Sequence, residues 1–115
     1  MEKLTNYFKL LSDETRLRMM ALLYHNEFCV CQITGITGLA QPNVSKHLAR
    51  LRDMGLVKDQ RKEQYIFYSL NLEDELFENI LSAIVNNVES FPVLKLDLEK
   101  SKAAAIYIEL KEANK

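Results

Sequence analysis

Gln41-Pro42-Asn43-Val44-Ser45-Lys46-His47-Leu48-Ala49-Arg50-Leu51 is a stretch with two faces. Val44, Leu48 and Leu51 recur at spacings of four and three, which places them on one side of an α-helix. Asn43, Lys46, His47 and Arg50 follow i, i+3, i+4, i+7 on the other side. Pro42 suits the first helical position, where its fixed φ is already right and its missing N–H costs nothing. Gly55 ends the helix. The apolar side has to be buried. The polar side carries groups that suit duplex DNA: Asn can make two hydrogen bonds to adenine and Arg two to guanine. Ser45, Lys46 and the start of the helix suit phosphate oxygens. Gln41, Asn43, Ser45, Lys46, His47 and Arg50 are therefore the candidate DNA contacts of this segment. The alternative is an ordinary solvated helix face.

Working outward, a short helix from about Cys31 to Ile36 precedes this one. Gly35 and Gly38 limit its length, and Gly38 can adopt the left-handed conformation that stops it. Helix, tight turn and second helix make a helix-turn-helix. Further back, Leu4, Tyr7, Phe8 and Leu11 form one stripe of an amphipathic helix. Ser12 and Asp13 can cap a second helix with Glu14 in its first turn. Leu17, Met20, Ala21 and Tyr24 give that helix its buried face, Leu22 and Leu23 widen it, and Met19 and Met20 read as core. Downstream, two short strands are expected near Leu56–Gln60 and Gln64–Leu70. Ile66, Tyr68 and Leu70 alternate inward, while Tyr65, Phe67 and Ser69 face the other way. Arg61-Lys62-Glu63 forms the polar tip, so Arg61, Lys62 and Gln64 are candidate contacts of a wing reaching the neighbouring groove or backbone. Asn71 can cap the next helix, in which Leu76, Ile80, Ile84 and Val88 repeat every four residues beside Phe77, Leu81 and Val85. Pro92 breaks the chain, and a last helix is expected over Leu98–Glu112. The fold class is mainly α with a β-hairpin wing, a winged helix-turn-helix. Residues 1–90 form the DNA-binding domain, and 91–115 a C-terminal helix packing on the dimer.

The composition agrees. The 115 residues are 48% hydrophobic and 27% charged, with three Gly and two Pro, which suits one ordered domain with a real core. The net charge of −1 hides an uneven distribution. Residues 41–62 hold Lys46, Arg50, Arg52, Lys58, Arg61 and Lys62 against Asp53 and Asp59. Residues 71–115 hold nine acidic and five basic side chains. The basic middle is where an anionic partner would dock. A single recognition helix covers too few base pairs for useful affinity, whereas two copies on a two-fold axis cover both half-sites. The apolar surface left over on the first helix and on residues 72–88 is best used as a homodimer interface. Alternatively, it completes the monomer core. No apolar run reaches 18 residues, and the N-terminus lacks a signal-peptide core, so no membrane partner and a cytoplasmic location are expected. No paired carboxylates, Ser/His/Asp set or phosphate-cradling Gly-rich loop is visible, so an enzyme is not expected.

Cys29 and Cys31 are the only cysteines. They are too few and too close for a secreted disulfide framework. Two thiolates two residues apart suit a soft, thiophilic ion. In a regular α-helix residues i and i+2 point about 200° apart, so the pair can share one ion only where the helix start is extended or unwinds. Binding would then move the first arm of the helix-turn-helix. A position near a helix start would also favour the thiolate. Core filling and a redox switch stand as alternatives. Thr34 supplies no thiol, and His25 is either a further ligand or an ordinary surface histidine.

Leu11-Ser12-Asp13-Glu14-Thr15-Arg16-Leu17, Phe28-Cys29-Val30-Cys31-Gln32-Ile33, the 41–51 stretch and Gly55-Leu56-Val57 together resemble the ArsR/SmtB family of small dimeric winged-helix repressors that sense metals and metalloids. The resemblance implies an operator-binding homodimer that leaves double-stranded DNA when an inducer binds. The Cys-Val-Cys string resembles the inducer box of the arsenic-responsive branch, with Cys29 and Cys31 as ligands of trivalent arsenic or antimony. In that branch a third cysteine often sits at the position held here by Thr34. The family's zinc-type site on the dimer helix is not recognisable, since residues 72–90 contain no histidine. No resident cofactor is implied. Cadmium, copper or thiol oxidation is the alternative signal.

Overall fold

The structure is a computed structural model and describes residues 1–114. Its elements are α1 (Glu2–Leu11), α2 (Glu14–His25), α3 (Val30–Thr37), α4 (Gln41–Asp53), β1 (Val57–Lys62), β2 (Tyr65–Leu70), α5 (Glu75–Val85), a single 3₁₀ turn (Val88–Ser90), α6 (Pro92–Ser101) and α7 (Ala105–Ala113). The core lies where α2, α3, α4 and α5 meet. Met19, Met20, Ile33, Ile36, Val44, Leu48, Leu51 and Leu81 are 0% exposed. Each large side chain buried there contributes roughly 1.5–3 kcal/mol. The short helices are therefore held by burial of one face rather than by intrinsic propensity.

The ends of the helices follow local chemistry. Asp13 caps α2 by accepting from the Arg16 N–H at 3.0 Å. Gly38, at φ 75°, closes α3 and donates its N–H to the Thr34 carbonyl. Pro42 sits in the first turn of α4. The cap of α5 is Asp74, which accepts from the Phe77 N–H, and not Asn71. Asn71 instead donates to the Gly55 carbonyl at 3.0 Å and so fastens the end of the hairpin to the end of α4. Asp74 wins because it also receives the Tyr7 hydroxyl and the Lys3 ammonium of α1, each at 2.6 Å.

The hairpin pairs antiparallel from Val57 with Leu70 to Lys62 with Tyr65. Its turn is Glu63-Gln64, with Glu63 at φ 58°. Arg61 and Lys62 therefore lie in β1 rather than at the tip. Ile66 is 40% exposed, not turned into the core as its alternation suggested. Only the base of the hairpin rests on the core, through Val57, Tyr68 and Leu70, so the period-2 pattern has nothing to bury against near the tip. Phe28 adds one further rung, exchanging backbone hydrogen bonds with Tyr68 at 2.9 and 3.0 Å.

Beyond α5 the chain departs from the expected single helix. Pro92 opens α6 instead of breaking the chain, again at a position that needs no N–H donor. α6 and α7 are separate because Ala103, Ala104, Ile106 and Tyr107 each bond three residues back. At this junction Ala104 is buried, and the Tyr107 ring lies on Gly35. Gly35 thus lies inside α3 rather than limiting it: a Cβ there would run into that ring. α6 packs on α2 and α3, and α7 on α3. Arg18 of α2 forks onto buried Asp97 of α6 at 2.9 Å and donates to the Thr37 carbonyl at 2.8 Å.

Candidate nucleic-acid interface and thiol pair

With Val44, Leu48 and Leu51 fully buried, α4 turns its other face outward. Gln41, Asn43, Lys46 and Arg50 are exposed, and Ser45 and His47 are half-buried. The Gln41 amide donates to the Ser45 hydroxyl at 3.0 Å, which orders the first turn. Arg52, on the other side of the helix from Asn43 and Arg50, is tied to Asp59 at 3.1 Å. In the hairpin, Arg61 is exposed. Lys62 pairs with Glu27, and Gln64 donates to Glu112. Two of the three candidate wing residues are thus engaged by carboxylates of the same chain.

The thiols sit at the start of α3, the helix before α4. Cys29 is the residue that caps α3, in extended backbone at φ −85° and ψ 170°, and Cys31 lies in the first turn. An extended cap escapes the 100° per residue of the helix, so the two side chains converge: Sγ to Sγ is 3.0 Å. Of the two ways in which the pair could share an ion, an extended helix start or an unwound one, the structure has the extended start. Two metal–thiolate bonds of about 2.3 Å from one tetrahedral centre hold their sulfurs about 3.8 Å apart, and side-chain rotation covers the difference. Gln32 locks the turn. Its side chain accepts from the Cys29 N–H at 3.0 Å, while the Cys29 sulfur accepts from the Gln32 N–H.

Cys29 is 2% exposed and Cys31 half-buried. Burial pushes the Cys31 thiol up to about 11, reinforced by the hydrogen bond and charge of Cys29, against smaller opposing effects of Lys111 and the Gln32 N–H. The helix start does not make this thiol acidic, contrary to the expectation from position alone, because desolvation outweighs it. Cys31 opens into a hollow of about 570 Å³ lined by Val30, Thr34, Gln41, Lys111 and Asn114. The Thr34 hydroxyl is occupied by the Cys31 carbonyl at 3.0 Å. His25 is exposed, edge-on to Tyr24, in a hollow with Val88 and Glu89 that the thiols do not line. Among the described residues, no three His, Cys, Asp or Glu side chains converge to hold a metal ion. Gln32 and the α7 residues around the hollow escaped the sequence reading. Gln32 carried a signal, the polar residue three places after a cap, whereas nothing in the periodicity brings α7 here.

Residues 13–59 match the model of a bacterial regulatory protein family, the arsR family. Transcriptional repressor SdpR of Bacillus subtilis is 35% identical over 68 residues, which take in 59% of this chain and 76% of SdpR. The chain belongs to the arsR family. Arsenic resistance transcriptional regulator ArsR1 of Pseudomonas putida is 46% identical over 67 residues, 57% of this chain and 52% of that regulator. The chain thus spans about half the length of that arsR-family regulator. The crystal structure of the AntR antimony-specific transcriptional repressor superposes with a TM-score of 0.64 at 27% identity, covering 77% of this chain and 79% of AntR. The arsR-family match covers α2, α3, α4 and the start of the hairpin, and so includes both the thiols and the outward face of α4. No helix among the described residues is long and apolar enough to cross a membrane.

Proposed function

We propose that this arsR-family protein is a cytoplasmic, homodimeric transcriptional repressor that releases operator DNA when trivalent arsenic or antimony binds Cys29 and Cys31. The convergence of two sulfurs at 3.0 Å, at the start of the first helix of a helix-turn-helix, is the observation that carries this reading. The outward Asn43, His47 and Arg50 of α4 are the groove-facing set, Gln41, Ser45 and Lys46 meet the backbone, and Arg61, Lys62 and Gln64 belong to the wing. A relative that confers arsenic resistance regulation and a structural neighbour specific for antimony support the choice of ion.

The chemistry fits a metalloid hydroxide. Each S–H displaces one hydroxyl, its proton leaving with that hydroxyl as water, so two sulfur bonds form for two water molecules released. The third position keeps a hydroxyl or takes a small external thiol, since Thr34 is no substitute for a third sulfur. Repression ends through a coupling between the two sites of 1–3 kcal/mol or so, about 5- to 150-fold in operator affinity. Dimerisation is supported by the apolar side chains that α1 and α5 leave outside the monomer core, Phe8 at 57% and Leu76 at 50% exposed.

A gel shift on the DNA upstream of the protein's own gene, under reducing conditions, tests the reading. The wild type is expected to bind and to be released by arsenite, and Cys29→Ser to bind and stay bound. Release of Cys29→Ser by arsenite would remove the thiols from the mechanism. Release of the wild type by cadmium or copper(I), but not by arsenite, would reassign the signal.

A further inference from the structure

The thiol pair touches more than the helix-turn-helix. Gln32, 7% exposed, uses both ends of its amide. Its oxygen holds the Cys29 N–H, and its nitrogen donates to the Ala104 carbonyl at 3.3 Å, where α6 gives way to α7. One turn further along α3, Tyr107 of α7 lies on Gly35. At its far end α7 reaches the hollow beside Cys31 with Lys111 and Asn114. There Glu112 accepts hydrogen bonds from Gln64 and from the Tyr65 hydroxyl, and Lys111 stands 5.6 Å over the Tyr65 ring. So α7 is seated on the thiol-bearing helix along its length and ends on the tip of the hairpin. The family match stops at residue 59 and contains none of α7.

We propose that α7 is the element that carries occupancy of the thiol pair to the wing, with Gln32 as the positioning residue that couples Cys29 to it. This rests on the reading of Cys29 and Cys31 as the inducer site. An ion held by both sulfurs spreads them beyond 3.0 Å. Cys29 cannot move without its N–H pulling on Gln32, and hence on Ala104. Whatever completes the coordination beyond Cys31 occupies the hollow that Lys111 and Asn114 line. Both displacements act on α7, and its last turn holds the hairpin tip through Glu112. The wing is repositioned while α3 stays wound.

The test uses the full chain labelled with ¹⁵N, with arsenite as the probe, in the wild type, Gln32→Met and Glu112→Ala. Gln32→Met keeps volume and removes both hydrogen bonds; Glu112→Ala is an exposed change that leaves the core intact. In the wild type, arsenite is expected to shift the amide resonances of Cys29, Cys31, Ile106–Leu110 and Gln64–Ile66. In Glu112→Ala the thiol and α7 shifts persist, the hairpin shifts disappear, and the ratio of operator affinities without and with arsenite falls to near one. In Gln32→Met the shifts stop at the thiols. Wild-type shifts at the thiols that never reach α7, or an unchanged affinity ratio in Glu112→Ala, overturn the relay and leave the inducer site standing. The Phe28–Tyr68 rung would then be the route to the hairpin. No shift at the thiols overturns the inducer site and the relay together.

Discussion

Asp74 shows how much one side chain can decide. It caps α5 and receives both the Tyr7 hydroxyl and the Lys3 ammonium of α1. Lys3 first, then Tyr7 and the Phe77 N–H, hold its carboxyl well below the usual carboxylate range. A depressed folded-state pKa means that the unfolded chain takes up the proton first as pH falls. The stabilisation is complete above the ordinary carboxylate value of about 4 and is lost progressively below it. Asp74→Asn is accordingly expected to melt a few degrees below wild type at pH 7, with the gap narrowing as pH drops below about 4. Thermal melts of both proteins across that range check it; a gap independent of pH would contradict the assignment. Cys29 works at the same scale. A cysteine in the place of the usual Ser or Thr cap keeps the reciprocal bond with Gln32, and its extended backbone brings the sulfurs together.

At the scale of elements, the seat of α7 on α3 depends on an absent side chain. A glycine inside a helix normally costs about 1 kcal/mol relative to alanine, so Gly35→Ala in isolation would stabilise α3. Here the added methyl meets the Tyr107 ring. Overpacking of this kind costs roughly 1–3 kcal/mol, which outweighs the gain. Gly35→Ala is expected to destabilise the wild type but to be neutral or stabilising in a Tyr107→Ala background. Urea midpoints of the four proteins decide it, and the same sign in both backgrounds would refute the contact. The break between α6 and α7 lies beside the same contact, with Ala104 buried at the junction and the Tyr107 ring on Gly35.

At the scale of the whole molecule, charge and leftover apolar surface set the remaining expectations. If α4 meets phosphates, removing one cation flattens the dependence of log K on log salt by about one charge. Lys46→Gln is expected to do this with the fold unchanged, as measured by fluorescence anisotropy on duplex DNA between low and moderate salt. An unaltered slope would place Lys46 away from the backbone. If α1 and α5 form the two-fold interface, Phe8→Glu puts charges against each other there. Sedimentation is then expected to show monomers and the gel shift to fail; a dimer with normal DNA binding would move the interface elsewhere.

The sequence was most legible where one short period settled both burial and exposure. Val44, Leu48 and Leu51 had to go inside, so Asn43, Lys46 and Arg50 had to come out, and Gly38, Pro42 and Asp13 marked ends by local backbone chemistry. Cys29 and Cys31 stood out because two soft ligands at that spacing have few other uses. Their convergence did not follow from spacing, since it depended on which residue became the cap. Nor could the alternation of Ile66, Tyr68 and Leu70 say that only the base of the hairpin has a core to rest on. The order of the elements and the face of α4 were thus determined by the chain itself, because hydrophobic period and turn chemistry act between near neighbours. The raised Cys31 thiol, the capping of α5 by Asp74 and the seating of α7 against Gly35 and the hairpin were decided only by tertiary structure. Desolvation and contacts between residues tens of positions apart exist only once the helices have packed.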